Sequence, residues 1–297
     1  MAQIRLFWQS KLVLLLVLPL AASGVVLQAH WWAENWWPVA LWALGLSLLL
    51  GVAVVELGSA TPRAAFTGAV ITASLIFSTA TFTPAGAFSY TPWHTALVPV
   101  LAVVVLTFIA TRLGRKSKEL RGLAEQRQGR TAAQVAANLG IAALASSDLV
   151  QSWLINVGWV RATVQTPQVL LTLGVAALAE AAADTVSSEV GQVLGGQPRM
   201  ITTLQPVEPG TDGAVSIVGT LAGVASAAIV ATAGSWALGG GQTMFMVGCA
   251  SGIFGLFFDS LLGATLERRG WLNNDAVNFL STASASAFAL GMLAFLP

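Results

Sequence analysis

The chain has 297 residues, of which 56% are hydrophobic and only 9% are charged. Soluble domains carry about 25% charged residues, so this composition argues against a large soluble protein and favours a protein of the lipid bilayer. The net charge of +1 gives no sign of a nucleic-acid partner. The single cysteine, Cys249, lies in an apolar run, which excludes a disulfide framework.

Apolar stretches close to the bilayer-crossing length of about 20 residues recur along the whole chain. They predict an all-α polytopic membrane protein with about nine transmembrane helices and no convincing internal repeat. The first stretch has features of a signal peptide, but its apolar run is long for one, and we interpret it as a retained span. The predicted spans are 12–29, 38–57, 64–82, 94–112, 131–147, 168–190, 213–236, 243–266 and 277–296.

The basic residues predict an orientation for these spans, because cytoplasmic loops are enriched in Lys and Arg. With a cytoplasmic N-terminus and an outside C-terminus, 13 of the 14 basic residues lie inside and only Arg161 lies outside. Trp31, Trp32, Trp36 and Trp37, between the first two spans, predict an aromatic belt at the outer interface. A platform for a ligand is the alternative interpretation of this cluster.

The segment 112–130 is the main hydrophilic break, with seven basic residues and two interspersed glutamates. It predicts a basic cytoplasmic segment that either fixes the topology beside anionic lipids or attracts a phosphorylated substrate. The break divides a single membrane domain, 1–297, into N-terminal scaffold helices, 1–111, and motif-bearing helices, 131–297.

Ionisable side chains inside a bilayer are costly and are therefore candidates for function. Glu180, Asp184, Glu189 and Asp259 lie toward the cytoplasmic ends of the sixth and eighth predicted spans. Glu180, Asp184 and Ser188 are spaced by four residues and share one helix face, whereas Glu189 joins them only where the helix ends or unwinds. These carboxylates have three interpretations: Mg²⁺ ligands, an ion or proton relay in a transporter, or partners of Arg and backbone groups.

Polar residues also recur at the start of the fifth span, where Arg130, Gln134 and Asn138 line one helix face. Thr131 is placed to cap this helix, and a helix N-terminus beside an arginine is suited to binding an anion. A ladder of hydrogen bonds between helices is the alternative explanation of the same spacing.

A polar loop with Pro-Gly and Asp-Gly turn signals precedes the seventh span. Its backbone N–H groups can point at phosphate oxygens, assisted by Arg199 and by the hydroxyls of threonines 202, 203 and 211. The loop lacks Gly-Lys-Ser/Thr, so it is not a Walker A loop, and an ordinary connector is an equal alternative.

Amide side chains mark the start of the last span, where Asn274 and Asn278 are four residues apart. An asparagine has little reason to enter a bilayer without a partner, so these two either bind a nucleotide or phosphate or cap the helix. His30 and His94 both lie at predicted outer boundaries. Their position argues against a histidine metal site and against hydrolysis that depends on histidine.

In this order, the clusters resemble one family of membrane proteins, which contains transmembrane protein 19 and the chloroplast phytyl-phosphate kinase of tocopherol biosynthesis. A fainter similarity connects them with CTP-dependent membrane enzymes such as polyprenol kinases and phosphatidate cytidylyltransferases. The resemblance covers roughly residues 40–297, and its matching stretches are 129–138, 183–189, 199–216, 259–265 and 274–281.

The resemblance implies a Mg²⁺-dependent lipid-phosphate kinase. The donor would be a nucleoside triphosphate, with CTP favoured by analogy, and the acceptor an isoprenoid monophosphate such as phytyl or geranylgeranyl phosphate. The expected metal ligands are Asp184, Glu189, Asp212 and Asp259, of which Asp184, Glu189 and Asp259 form the catalytic set. The expected substrate and phosphate contacts are Arg130, Gln134, Asn138, Ser188, Arg199, Thr202, Thr203, Thr211, Asp212, Asn274 and Asn278.

Two other functions remain open from the sequence. The first is a membrane transporter or lipid translocator with an intramembrane carboxylate site, and the second is a scaffold in which the polar groups only pack helices. The expected partners are the lipid bilayer, an isoprenoid phosphate and a nucleotide, without nucleic acid. The expected location is the inner membrane of a prokaryote, since no organelle-targeting features precede the first span.

Overall fold

The computed structural model describes residues 7–80, 91–123, 129–147, 152, 156 and 167–295. Its fold is helical, which confirms the predicted class. A two-stranded antiparallel sheet pairs β1, Arg199–Met200, with β2, Ala214–Val215. The helices are α1 Phe7–Glu56, α2 Pro62–Thr79, α3 Leu97–Arg112, α4 Arg115–Arg121, α5 Ala132–Ser146, α6 Pro167–Leu194, α7 Ile217–Ala237, α8 Gly241–Leu262, a π-helical turn Gly263–Glu267 and α9 Asn274–Phe295.

Five of the described helices are long and apolar enough to cross a membrane: α1, α6, α7, α8 with its π-helical turn, and α9. The pair α3 and α4, bent by 60°, is a sixth candidate. Helices α2 and α5 coincide with the third and fifth predicted spans but are not among these candidates, and α5 has only 15 residues. The described chain thus has five or six helices that qualify as candidate spans, with α1 counted once. The count of nine and the side of each terminus stay predictions.

Helix α1 has 50 residues but doubles back on itself. The backbone is non-helical at Trp36, with φ −159° and ψ 78°. Gly24 lies against Ser74 and Gly51 lies against Ala65. In a straight helix these two glycines would be about 40 Å apart, whereas their partners in α2 are only about 14 Å apart. Two limbs of α1 therefore pack along α2, and the bend falls in the tryptophan-rich segment between the first two predicted spans.

Hydrogen bonds between helix ends define a polar end of the bundle. The Gln9 side chain donates to the carbonyl of Trp271 at 2.8 Å, and Asn273 Nδ2 donates to the Ser10 hydroxyl at 2.9 Å. The start of α1 therefore lies beside the start of α9. The basic residues that the structure describes lie at or next to this end: Lys11, Arg63, Arg112, Arg115, Lys116, Lys118, Arg121, Arg130, Arg199, Arg268 and Arg269.

Aromatic side chains mark the opposite end of the bundle. Trp31, Trp36 and Trp37, at the bend of α1, are exposed. The ring of His94, just before α3, lies 5.7 Å from the ring of Trp236 near the end of α7. Trp32 is instead 2% exposed and belongs to a core cluster, so only the other three tryptophans have the exposure that the predicted interfacial belt requires. His94 lies far from the predicted polar clusters.

Helix α6 is the centre of the bundle and packs against α3, α5, α7, α8 and α9. Glycines of its neighbours bring the backbones close. A Cβ on Gly252 would lie 2.8 Å from Ala179 Cβ, and one on Gly223 would lie 2.8 Å from the carbonyl of Ala183. Small residues at helix contacts permit this close approach. It buries the part of α6 that carries its acidic residues.

The first prediction concerns Gly129, which has φ +77° and lies against the α1–α2 turn. A Cβ at this position would lie 2.5 Å from the carbonyl carbon of Ser59 and 2.6 Å from the nitrogen of Ala60. We expect Gly129→Ala to lower the free energy of unfolding by about 1–3 kcal/mol and to displace Arg130, as measured by thermal unfolding in detergent. Gly122→Ala is the matched control, since Gly122 has φ +70° but nothing within 4 Å of its Cβ position. Equal losses in both variants would contradict a role for the close backbone approach.

Candidate functional site

A polar cavity of about 340 Å³ lies at the polar end of the bundle. It is bounded by α5, α6, α8, α9, the π-helical turn and the loop before α7. Distant segments of the sequence therefore meet in one place. The cavity is lined by 11 of the predicted site residues, namely Arg130, Gln134, Asn138, Asp184, Ser188, Glu189, Thr211, Asp212, Asp259, Asn274 and Asn278.

Three predicted phosphate contacts, Arg199, Thr202 and Thr203, do not line this cavity. The Arg199 guanidinium donates to the carbonyl of Leu204 at 2.8 Å, and both threonines are exposed in the turn after β1. Arg199 thus stabilises the fold of its own loop. The predicted role of these three residues in phosphate binding has no support from their position.

Asp184 of α6 and Asp259 of α8 face each other in the cavity, where their side chains interact. Arg130 supplies a positive charge to Asp184. Among the described residues, Asp259 Oδ2 is buried and has no hydrogen-bond partner. Glu180, one turn before Asp184, is 1% exposed, and neither of its carboxyl oxygens has a partner in the described chain. Glu180 does not line the cavity, so the cavity carboxylates begin at Asp184.

This oxygen-rich pair fits a hard cation such as Mg²⁺. Within the described residues, no three His, Cys, Asp or Glu side chains converge closely enough to hold a metal by themselves. Mg²⁺ is usually held by one or two carboxylates together with water and substrate phosphates. Asp184 and Asp259 match that pattern, because they are paired and one of their oxygens lacks a partner.

Glu189, the third predicted metal ligand, forms an ion pair with Lys118 of α4. Lys118 is 2% exposed and also donates to the carbonyls of Ala110, at 3.3 Å, and Thr111, at 2.9 Å. The pair fastens the basic segment against α6. The pair uses Oε2 of Glu189, and the role of Glu189 as a metal ligand stays a prediction. Sequence reasoning missed this contact because the two residues are 71 positions apart.

The start of α5 is held by a capping box, as the sequence predicted for Thr131. Thr131 N donates to Gln134 Oε1 at 2.7 Å, and Gln134 N donates to the Thr131 hydroxyl at 3.3 Å. Asn138 Nδ2 donates to the carbonyl of Gln134 at 2.9 Å. These bonds lie within the start of α5. They orient Arg130 and Asn138 toward one cavity wall.

The loop before α7 is pressed onto the π-helical turn. Gly213 has φ +75°, and a Cβ on it would lie 2.3 Å from the nitrogen of Ala264. This contact places Asp212 at the cavity wall. Burial raises the pKa of the Asp212 carboxyl above its ordinary value, and Arg268 opposes that rise. A cation bound nearby would favour the charged carboxylate in the same way as Arg268 does.

Several polar residues of the cavity were not among the predicted site residues, and two of them are Glu267 and Ser216. Glu267 ends the π-helical turn, a form of helix that often occurs at functional sites. In the sequence, Glu267 is marked only by the two arginines that follow it, and such a run of charges is also typical of a cytoplasmic connector. Ser216 caps α7 by accepting a hydrogen bond from Gly219 N at 3.1 Å.

A second cavity, of about 490 Å³, lies between the second limb of α1, α2, α3 and α5. Leu, Val, Ala and Gly residues form most of its lining, while Arg112, Arg115 and Arg130 lie at its polar end. Arg130 and Asn138 line both cavities. The two spaces together suit a ligand that has an anionic head and an apolar tail.

The fold and its cavities define an all-helical integral membrane protein with a polar site at one end of the bundle. The chain belongs to the family described as integral membrane protein DUF92, whose model matches residues 45–286. This match confirms the family that the sequence motifs predicted. No solved structure matches the chain.

Relatives of the chain occur in an archaeon, a cyanobacterium and a plant. An uncharacterised membrane protein of Methanocaldococcus jannaschii is 46% identical over 36% of this chain and 45% of its own length. An uncharacterised membrane protein of Synechocystis is 35% identical over 67% of this chain and 74% of its own length. Protein VTE6, chloroplastic, of Arabidopsis thaliana is 32% identical over 66% of this chain and 58% of its own length. Because prokaryotic and chloroplast proteins both occur, the inner membrane of a prokaryote stays a prediction.

The second prediction tests the buried ion pair. Lys118→Met would leave the Glu189 carboxylate, 17% exposed, without its partner. We expect a loss of about 3–5 kcal/mol in the free energy of unfolding, measured by denaturant unfolding in detergent. Arg115→Met is the control, because it removes an exposed pair with Glu119 that has an N–O distance of 3.1 Å. Exposed pairs contribute at most about 1 kcal/mol. Similar losses in both variants would show that the Lys118 pair has no special role.

Proposed function

We propose that this protein is a lipid-phosphate kinase whose acceptor is an isoprenoid monophosphate such as phytyl or geranylgeranyl phosphate. The donor is a nucleoside triphosphate, with CTP as the first expectation. The observation that carries the proposal is the junction of a polar and an apolar cavity at Arg130 and Asn138. The family resemblance supports it, since the chloroplast phytyl-phosphate kinase implies this activity.

In this proposal the acceptor lies across the junction. Its tail occupies the apolar cavity, and its phosphate meets Arg130, with Arg112 and Arg115 close to the same end. Arginine suits this task because its planar guanidinium makes paired, charge-assisted bonds to phosphate. Arg130 starts from a fixed backbone: its N–H donates to the Ser59 carbonyl at 3.0 Å, and its carbonyl accepts from Thr61 N at 3.1 Å.

The nucleotide occupies the polar cavity in this proposal. The backbone of the loop before α7, with Thr211, approaches its phosphates, and Asn274 and Asn278 contact the nucleotide or orient the carboxylates. Asp184 and Asp259 would hold Mg²⁺, which would supply positive charge to offset the charge that accumulates during transfer. Asp212 is a further candidate ligand, because a cation would favour its charged form.

The reaction requires positioning more than proton transfer. An oxygen of the acceptor phosphate attacks the γ-phosphorus of the donor, and the bond from that phosphorus to the β–γ bridging oxygen breaks. A nucleoside diphosphate leaves, and the product is a prenyl diphosphate. The acceptor is a dianion near neutral pH, so no proton has to be removed from it. The described lining of the polar cavity contains no histidine, which agrees with this requirement. Phosphoryl transfer depends chiefly on alignment and charge stabilisation.

The third prediction is the activity itself. Protein in detergent or nanodiscs is incubated with Mg²⁺, geranylgeranyl or phytyl monophosphate, and each of CTP, ATP, GTP and UTP. We expect prenyl diphosphate and nucleoside diphosphate in equal amounts with one preferred donor. Asp259→Asn is expected to lower kcat/KM by about 100-fold or more, because it removes charge stabilisation at the transferred group. Glu208→Gln, on an exposed part of the loop, is the control and should keep the parent activity.

Two outcomes of this assay would count against the kinase. Folded parent protein that turns over none of the donors with either acceptor would overturn it and favour a lipid translocator. If the Asp259→Asn variant kept full activity, the reaction could not depend on the carboxylate pair of the polar cavity.

The fourth prediction concerns the metal. Chelation with EDTA should abolish turnover, and added Mg²⁺ should restore it. Asp184→Asn should raise the Mg²⁺ concentration for half-maximal rate by about 10-fold or more, since it removes a charged ligand. The measurement is a Mg²⁺ titration of the initial rate at fixed donor, with Glu208→Gln as the unchanged reference. Turnover that persists in EDTA would contradict a metal at this carboxylate pair.

A further inference from the structure

The apolar cavity has a basic end and a buried end, and α3 reaches both. Arg112 lies at the basic end and Val100 at the other. Twelve residues separate them, which is about 18 Å at the α-helical rise. Val100 is 0% exposed and belongs to the same core cluster as Ile71 and Leu75 of α2. Thr72, between those two residues, also lines the cavity and is 1% exposed. The deep end is therefore closed by packed side chains.

Small residues form the cavity wall between these two ends. Gly51, Ala65, Gly68 and Ala69 all line it. The nearest atom to a Cβ placed on Gly68 would be Val135 Cγ1, at 3.6 Å. A Cβ at Gly68 would therefore be in ordinary van der Waals contact with a side chain that itself lines the cavity, without a backbone clash. The space is a channel that runs along α2 and α3 from the arginines to Thr72 and Val100. Its side is partly open, because Val105 and Ile109 of its wall are 51% and 59% exposed.

We propose that this channel measures the tail of the acceptor and that Thr72 and Val100 set its maximum length. This inference rests on the proposed kinase function. An extended hydrocarbon chain advances about 1.3 Å per carbon, given C–C bonds of about 1.5 Å. A depth of about 18 Å therefore holds about 14 main-chain carbons. Because an isoprene unit adds about four of these carbons, tails of three units fit, tails of four units exceed the depth by about two carbons, and tails of five units exceed it by about six.

The limit acts by steric exclusion. A prenyl tail moves into the channel from the lipid bilayer, whose chains are as apolar as the channel wall. A longer tail therefore gains little binding free energy from additional burial. A tail that exceeds the channel instead holds the phosphate away from Arg130. The length limit should therefore appear in kcat/KM for the acceptor and leave the KM for the nucleotide unchanged.

The test is a length profile. Monophosphates of two to six isoprene units are compared by kcat/KM at fixed donor. For the parent protein we expect the highest value at three to four units and a fall of about 10-fold or more at five units. Thr72→Ala and Val100→Ala should move the limit upward by one unit. Such a gain for a longer substrate cannot result from misfolding.

A second pair of variants shortens the channel and controls for the change of residue. Gly68→Leu should move the optimum down by one to two units. Gly45→Leu is the matched control, because Gly45 lies on the second limb of α1, does not line the cavity, and has nothing within 4 Å of its Cβ position. Its length profile should equal that of the parent. The readout is the ratio between substrates, which is independent of the amount of active protein.

The possible failures are distinguishable. The length limit would be refuted by equal turnover for all tail lengths. It would also be refuted if the variants at Thr72, Val100 and Gly68 left the length profile unchanged. Neither result would contradict the proposed kinase activity. If no acceptor is phosphorylated, the proposed kinase activity is refuted. The channel is then tested without nucleotide, by measuring how prenyl monophosphates of different length displace a photoreactive geranylgeranyl monophosphate. Displacement that depends on tail length and is altered by Gly68→Leu but not by Gly45→Leu supports the channel. Displacement without length dependence overturns it.

Discussion

The close packing of small residues around α6 is the constraint on which the site depends. Glycines in α7 and α8 allow these helices to approach α6 at backbone distance, as Gly223 and Gly252 show. That approach brings Asp184 and Asp259 together in an interior where a lone carboxylate would be costly. Larger residues at these contacts would separate the helices and move Asp184 away from Asp259. The chemistry of the cavity thus follows from helix packing, and the polar loops complete it.

The N-terminal helices do more than provide a scaffold. The second limb of α1, together with α2 and α3, forms most of the apolar cavity, whereas the motif-bearing half contributes α5 and the polar cavity. The two halves meet where Arg130 pairs with the α1–α2 turn. A ligand that occupies both cavities would therefore bind to both halves. The basic segment joins them a second time through Lys118 and Glu189.

Periodicity and the cost of polar groups in lipid predicted the helices and most of the site. Asp184, Asp259, Asn138 and Asn278 were found because each interrupts an apolar run, and they do meet in space. The fold-back of α1, the π-helical turn and the Lys118 pair were not predicted, since long-range contacts leave no periodic signal. The predicted fifth span does not appear among the membrane-crossing candidates because α5, although apolar, has only 15 residues.

The position of Arg130 on the wall of both cavities has a thermodynamic consequence. A single guanidinium cannot neutralise two phosphate groups as fully as it neutralises one. If the proposed lipid phosphate and nucleotide occupied the two cavities, each would therefore affect the binding of the other through Arg130. Such coupling is reciprocal: whatever change in affinity the lipid causes for the nucleotide, the nucleotide causes for the lipid. A divalent cation between the two groups would reverse the sign from antagonism to cooperation. The position of Arg130 at both cavities would thereby couple the affinities of two anionic ligands.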